Sequence, residues 1–164
     1  MCGIFGGYLN TDLNNDNNLI MSRIKEAQDS LHHRGPDDEG LELFDFVNDT
    51  KASKQQLFLG HTRLSIIDLS SGGHQPLNSA DGRYTIIYNG EIYNYIELRQ
   101  ELKMLGHVFK TESDTEVLLA VWVKWGQEGL KRLIGMFAFA IFDKKLETLT
   151  LVRDAFGIKP LFFK

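Results

Sequence analysis

Residues 135–157 read GMFAFAIFDKKLETLTLVRDAFG. Two β-rich runs, GMFAFAIFD and LTLVRDAFG, flank the polar turn KKLE, a pattern that predicts an antiparallel hairpin. Upstream, SDTEVLLAVWVKW (113–125) opens on Ser113 and Glu116 as a capping box. Val117, Leu118, Val121, Trp122 and Trp125 follow at helical spacing, and Gly126 ends the helix. NYIELRQEL (94–102) predicts a second helix, with Asn94 as N-cap, Glu97 three residues on, and Ile96, Leu98, Leu102 and Leu105 on the buried side.

Further out, RYTIIYNG (83–90) reads as a strand and SSGGHQPLNSADG (70–82) as a long loop. Strands are expected near 41–47 and 56–62, with NDTKAS (48–53) as a polar hairpin tip. A helix is expected over about 19–31, with Leu19, Ile20, Ile24, Ala27 and Leu31 near one face. HHRGPDDEG (32–40) breaks it, because Gly35-Pro36 cannot continue a helix. CGIFGGYLN (2–10) reads as a buried strand, and NTDLNNDNN (10–18) as a turn and helix start. This order of elements predicts a layered α+β domain of sheets flanked by helices. GIKPLFFK (157–164) reads as a strand cut short, so residues 1–164 are expected to be part of a longer protein.

A chain of 164 residues fits one domain with a core of its own. The formal net charge of −4, with no Lys/Arg-rich run, argues against nucleic acid as a partner. The longest apolar runs, such as MFAFAIF, fall well short of the roughly 20 residues a membrane helix needs, and the start lacks signal-peptide character. One cysteine excludes an intramolecular disulfide and points to a reducing cytoplasm.

That cysteine is Cys2. It reads either as a small apolar residue at the head of a strand or as a nucleophile. Removal of Met1 would leave a thiol and an α-amine on one residue, and the α-amine is a built-in general base. Asn89-Gly90, at the end of a strand, is either a turn or a pair of donors, one side-chain amide and one backbone N–H, aimed at an oxyanion. Arg63 is either a snorkelling side chain or a partly buried cation for a carboxylate. Asp114 either complements a helix dipole or, with Glu91, holds an ammonium group. One Arg and two acids suit a zwitterionic α-amino acid. The five histidines show no HxxH, HxxxH or HExxH spacing, so no metal is expected. No GxGxxG or GxxxxGK[ST] loop is present.

MCGIFG, HRGPDDEG, GHTRLSIIDLSSGGHQP, YNGEIYNYIELR, SDTEVLL, GMFAFAIFD and RDAFGIKPLFF occur in one order. Together they span nearly the whole chain. They resemble the N-terminal glutaminase domain of glutamine-hydrolysing asparagine synthetases, a class II glutamine amidotransferase of the N-terminal-nucleophile (Ntn) hydrolase type. The resemblance implies a four-layer αββα sandwich of two antiparallel sheets. It implies Cys2 as nucleophile and Asn89 and Gly90 as oxyanion hole. Arg63 would hold the α-carboxylate of L-glutamine, Glu91 and Asp114 its α-ammonium, and the backbone of Leu64, Ser65, Ile66 and Ile67 would line the pocket.

Residues 1–164 would then be a glutaminase domain, incomplete at its C-terminal end, that needs no metal or organic cofactor. ATP and Mg²⁺ would act in a synthetase domain of the same polypeptide that this chain lacks, with aspartate as the leading ammonia acceptor. A sugar acid as acceptor, and a non-catalytic glutamine-binding regulatory domain, stand as alternatives. The resemblance is compatible with a homodimer and gives no membrane partner.

Overall fold

Strand β6 (Gly135–Asp143) is buried along nearly its whole length, because both of its faces are covered. In the computed structural model, which describes residues 2–12, 17–46, 53–66, 68 and 70–164, the elements run in this order. β1 (Gly3–Asp12) leads to α1 (Asn17–Ser30), β2 (Asp38–Phe46) and β3 (Ser53–Arg63). Then come β4 (Leu77–Asn78), β5 (Tyr84–Ile92), α2 (Tyr95–Met104), α3 (Asp114–Trp125), β6 and β7 (Thr148–Arg153).

The strands form two antiparallel sheets. One has three strands in the order β1-β3-β2, the other four in the order β4-β5-β6-β7. β5 and β6 pair from Tyr84↔Asp143 to Ile92↔Gly135. On one face of the four-stranded sheet, Ile86, Tyr88, Phe137, Phe139 and Ile141 pack against Leu98 and Leu102 of α2 and Val117, Leu118, Val121 and Trp122 of α3. On its other face, Ile87, Ala140 and Phe142 meet Leu57 and Leu59 of the three-stranded sheet. β6 is therefore apolar from Met136 to Phe142 instead of alternating. Each fully buried Leu, Ile or Phe contributes about 1.5–3 kcal/mol. α1 lies on the outer face of the three-stranded sheet, held by buried Ile24 and by Gln28, whose Nε2 donates to the Gly40 carbonyl at 3.4 Å. The result is the α+β four-layer αββα arrangement.

Several local expectations change. β1 is an edge strand, with Tyr8 59% exposed, not a buried one. Residues 10–12 extend that strand instead of opening a turn. Residues 13–16 and 47–52, including most of the expected hairpin tip, lie outside the described residues. On α1 only Ile24 of the expected apolar stripe is buried, while Leu19 and Ala27 face solvent. On α2, Ile96 and Leu105 are likewise exposed.

Asn94 does not cap α2. Its Nδ2 donates to the Arg132 carbonyl and its Oδ1 accepts the Ile134 N–H, both at 2.9 Å, which ties α2 to the entry of β6. The capping box of α3 closes one way only. Ser113 Oγ accepts the Glu116 N–H at 3.2 Å, while the Glu116 carboxylate takes the N–H groups of Lys110 and Thr111. The 70–82 loop contains a 3₁₀ turn (Ser71–Gly73) and β4, and residues 154–164 form no strand. No helix among the described residues is long and apolar enough to cross a membrane.

Candidate active site

The head of β1, the end of β3, the end of β5 and the start of α3 meet at one cleft. Gly3 pairs with Thr62, which sets Cys2 beside the residues that follow β3. The Leu64 N–H donates to Cys2 Sγ at 3.4 Å, and the thiol lies 3.8 Å from the Leu64 carbonyl oxygen.

Arg63 ends β3 and is buried. Its Nη1 donates to the Ser70 carbonyl at 2.7 Å and its Nη2 to the Asp68 carbonyl, so the guanidinium organises the loop that forms one wall. Gly73 lies flat against it: a Cβ there would sit 2.0 Å from Nη2. A guanidinium has five N–H donors, so donors remain beyond these two.

The end of β5 supplies the opposite wall. Backbone groups of successive strand residues point alternately to the two sides. On the side away from β6, the Tyr88 N–H is taken by Gln75 Oε1 at 2.6 Å and the Ile92 N–H by Asp114 Oδ2 at 3.1 Å. The Gly90 N–H lies between them on the same side, where β4, which pairs only with Thr85 and Ile86, no longer covers β5. It has no partner among the described residues and faces the cleft. Asn89, next to it, is buried, lines the cleft, and its amide makes no hydrogen bond among the described residues. Glycine at 90 is also required by the sheet itself, because a Cβ would lie 2.4 Å from the Met136 carbonyl oxygen.

Asp114 begins α3 and is buried. Its Oδ2 accepts the Tyr88 hydroxyl at 2.8 Å as well as the Ile92 N–H. Burial pushes its carboxyl above the usual range, against the pull of those two donors. Burial, and then the Asp114 charge, push the Tyr88 phenol up as well. No cation forms an ion pair with Asp114 among the described residues. A buried carboxylate of this kind is a place for a ligand's cation. Glu91 lines the same cleft, half-buried.

Eight of the sequence-derived residues therefore share the cleft: Cys2, Arg63, Leu64, Ile66, Asn89, Gly90, Glu91 and Asp114. Ser65 does not line it; its N–H donates to Asp37 Oδ2 at 2.8 Å and steadies the loop from outside. Ile67 lies outside the described residues. Sequence reasoning missed Gln75, Tyr88, Thr115, Met136 and Lys159, all cleft residues. Lys159 is buried and is carried in by a turn built on Asp154, whose carboxylate accepts the N–H groups of Phe137, Phe156, Ile158 and Lys159. Burial pushes the Asp154 carboxyl up, but those four donors outweigh it and hold it below the usual range. The only signal for Lys159 was its place inside RDAFGIKPLFF, a motif with no assigned chemistry.

Residues 1–164 match the family described as "Glutamine amidotransferase domain". The chain is 48% identical over 140 residues to "Asparagine synthetase [glutamine-hydrolyzing] 1" of Bacillus subtilis, covering 85% of this chain and 20% of that protein. It is 37% identical over 179 residues to "Putative asparagine synthetase [glutamine-hydrolyzing] 2" of Methanocaldococcus jannaschii, covering 99% of this chain and 32% of that protein. It thus spans between a fifth and a third of these relatives. Among solved structures, glutamine phosphoribosylpyrophosphate amidotransferase from B. subtilis, complexed with ADP and GMP, superposes with a TM-score of 0.67 at 23% identity. That match covers 98% of this chain and 38% of the other, and it shows the same fold.

Proposed function

The chain belongs to the glutamine amidotransferase domain family, and from that premise we propose that it hydrolyses L-glutamine to glutamate and ammonia with Cys2 as nucleophile. The observation that carries this reading is the pair of unclaimed donors, the Asn89 amide and the Gly90 N–H, in the cleft that also holds the Cys2 thiol. Donors fixed in place before the reaction stabilise a developing oxyanion by about 2.7–4 kcal/mol each.

With Met1 removed, the α-amine of Cys2 takes the thiol proton and the sulfur attacks the side-chain amide carbon of glutamine. The carbonyl oxygen becomes an oxyanion held by Asn89 Nδ2 and the Gly90 N–H. As it collapses, the C–N bond breaks, the α-ammonium returns the proton to the leaving nitrogen, and ammonia departs. A γ-glutamyl thioester remains on Cys2. Water, deprotonated by the same amine, attacks it and releases glutamate. Arg63 receives the α-carboxylate of the substrate, and Asp114 with Glu91 its α-ammonium.

In this reading residues 1–164 are the amidotransferase unit of a longer polypeptide in a reducing compartment, and the rest of that polypeptide uses ammonia to amidate a carboxylate. The names of the relatives above make aspartate the leading acceptor. ATP and Mg²⁺ would serve that second reaction and have no role among the residues of the glutaminase cleft.

The test is release of glutamate and ammonia from glutamine by the purified protein, with intact mass recorded on the same sample. Expected are hydrolysis, a chain lacking Met1, and loss of hydrolysis in Cys2→Ala with folding retained. An active preparation that still carries Met1 throughout would overturn the role of the α-amine. Glutamine binding without hydrolysis would make the domain a regulatory module instead.

A further inference from the structure

Each wall of the cleft carries its own hydrogen-bonded unit, and the Asp68 carboxylate links the two at the outer edge. On the Arg63 side, Asp68 Oδ1 accepts the Ser70 N–H at 2.8 Å and the Ser70 hydroxyl at 2.6 Å. Ser70 Oγ in turn accepts the Gly72 N–H at 3.0 Å. The Asp68 and Ser70 carbonyls both receive the Arg63 guanidinium. On the Asp114 side, Thr111 is held through its N–H and hydroxyl by the Glu116 carboxylate, each at 2.8 Å. Its carbonyl takes the buried Arg99 guanidinium, and its hydroxyl oxygen accepts the Ser113 N–H at 3.2 Å. Two hydrogen bonds join these sides among the described residues: deep in the cleft, Gln75 Nε2 donates to Thr115 Oγ1 at 3.3 Å, and at its outer edge the Glu112 N–H donates to Asp68 Oδ2 at 3.3 Å. The loops also touch there, since a Cβ on Gly72 would lie 2.9 Å from Thr111 Cγ2. The Ser70 hydroxyl above all holds the Asp68 carboxyl below the usual range, so the acceptor is charged at neutral pH.

We propose that Asp68 is a positioning residue that sets the spacing between Arg63 and Asp114 and thereby selects ligands carrying both an α-carboxylate and an α-ammonium. Glu112 lies two residues before Asp114, and Asp68 holds Arg63 through its own carbonyl. A ligand that bridges the cleft gains both charge-assisted contacts only when the two walls are fixed at its own length. A ligand anchored at one end does not sense the spacing. Asp68 touches neither the sulfur nor the oxyanion donors, so its effect falls on binding and not on turnover. The inference rests on the glutaminase reading above.

The test compares Asp68→Asn, Ser70→Ala and the unaltered protein. In Asp68→Asn the two Ser70 donors keep the side-chain oxygen, which turns the new NH₂ toward the Glu112 N–H, donor against donor. Ser70→Ala loosens the same loop without touching the Glu112–Asp68 bond. The readouts are kcat and KM for glutamine and the inhibition constant of glutaramate, which keeps the carboxylate and amide but lacks the α-amine.

For Asp68→Asn, KM for glutamine is expected to rise about tenfold, the loss of roughly 1.4 kcal/mol. kcat and the glutaramate constant should each stay within about threefold. Ser70→Ala should leave the ratio of the two constants unchanged. Equal losses for glutamine and glutaramate, no loss in Asp68→Asn, or the same change of ratio in Ser70→Ala would each overturn the proposal while leaving the glutaminase reading intact. Absence of hydrolysis by the unaltered protein would overturn that reading, and this one with it.

Discussion

The Tyr88 hydroxyl donates to Asp114 Oδ2 at 2.8 Å, and the same oxygen accepts the Ile92 N–H at 3.1 Å. One buried carboxylate therefore fastens the start of α3 to both ends of the β5 segment that carries Asn89 and Gly90. An acid that only complemented a helix dipole would contribute about 0.3–1 kcal/mol. Asp114 has more to lose, since its removal strands a buried phenol and a buried N–H at about 1–3 kcal/mol each.

Asp114→Ala is accordingly expected to lower both stability and affinity. The midpoint of thermal unfolding should fall, and KM for glutamine should rise about tenfold to a hundredfold as a charge-assisted contact of roughly 1.5–3 kcal/mol is lost. Tyr88→Phe separates the two effects. It removes one hydrogen bond, worth about 1 kcal/mol of stability, and leaves the carboxylate in place, so KM should stay within about threefold. An equal rise of KM in Tyr88→Phe would assign the affinity to the Tyr88–Asp114 pair and not to a contact with substrate.

Asn89→Ala addresses the oxyanion donors. The amide has no partner among the described residues, so its removal should cost little stability. The rate of glutamine hydrolysis should fall about 10²–10³-fold in kcat, the size of a single oxyanion donor, with KM nearly unchanged. A stability loss with intact kcat would return Asn89 to a structural role.

The legibility of these features in the sequence follows from how local each signal is. The β6–β7 hairpin and the start and stop of α3 were readable, because turn chemistry, Ser113 and Gly126 act within a few residues. Asn94 misled, because its cap competes with a distant pair of backbone groups at Arg132 and Ile134 that only the tertiary fold brings near. Ile96 and Leu105 misled for a related reason: helical spacing names a face but not what covers it. In the cleft, Cys2, Asn89, Gly90, Arg63 and Asp114 were legible as residue types that need a chemical explanation. Gln75 and Lys159 were not, since a neutral amide in a loop and a lysine after a glycine turn show no pattern until the fold buries them.

Gly73→Ala probes Arg63 from the back. The added Cβ would lie 2.0 Å from Nη2 and 2.5 Å from Cζ, so the guanidinium must move. The obstruction is the far end of a flexible side chain, and the fold should survive. KM for glutamine should rise about tenfold with kcat largely retained, as expected when a bidentate carboxylate contact is misaligned. Unchanged KM beside an altered thermal midpoint would show that Arg63 serves the loop alone.

His61 gives the pH dependence its sign. It is fully buried between the sheets, where its Nε2 meets the Tyr88 carbonyl oxygen at 3.2 Å, and its Nδ1 has no partner among the described residues. Burial lowers its pKa from 6.5 to about 4; the Tyr88 carbonyl and Asp38 pull it up, while Arg63 and His74 push it further down. Between those two pH values the unfolded chain takes up a proton that the folded chain refuses. The stability from neutral His61 is therefore complete above about pH 6.5 and is lost as pH falls toward 4, by about 1.4 kcal/mol per unit and about 3 kcal/mol in all. His61→Gln can keep a donor for the Tyr88 carbonyl but does not titrate. Urea unfolding of both proteins at pH 7, 6, 5 and 4.5 should show the difference in stability between them shrinking or reversing on acidification. The carboxylates common to both cancel in that difference, so parallel curves would mean that His61 takes its proton in the folded protein without cost.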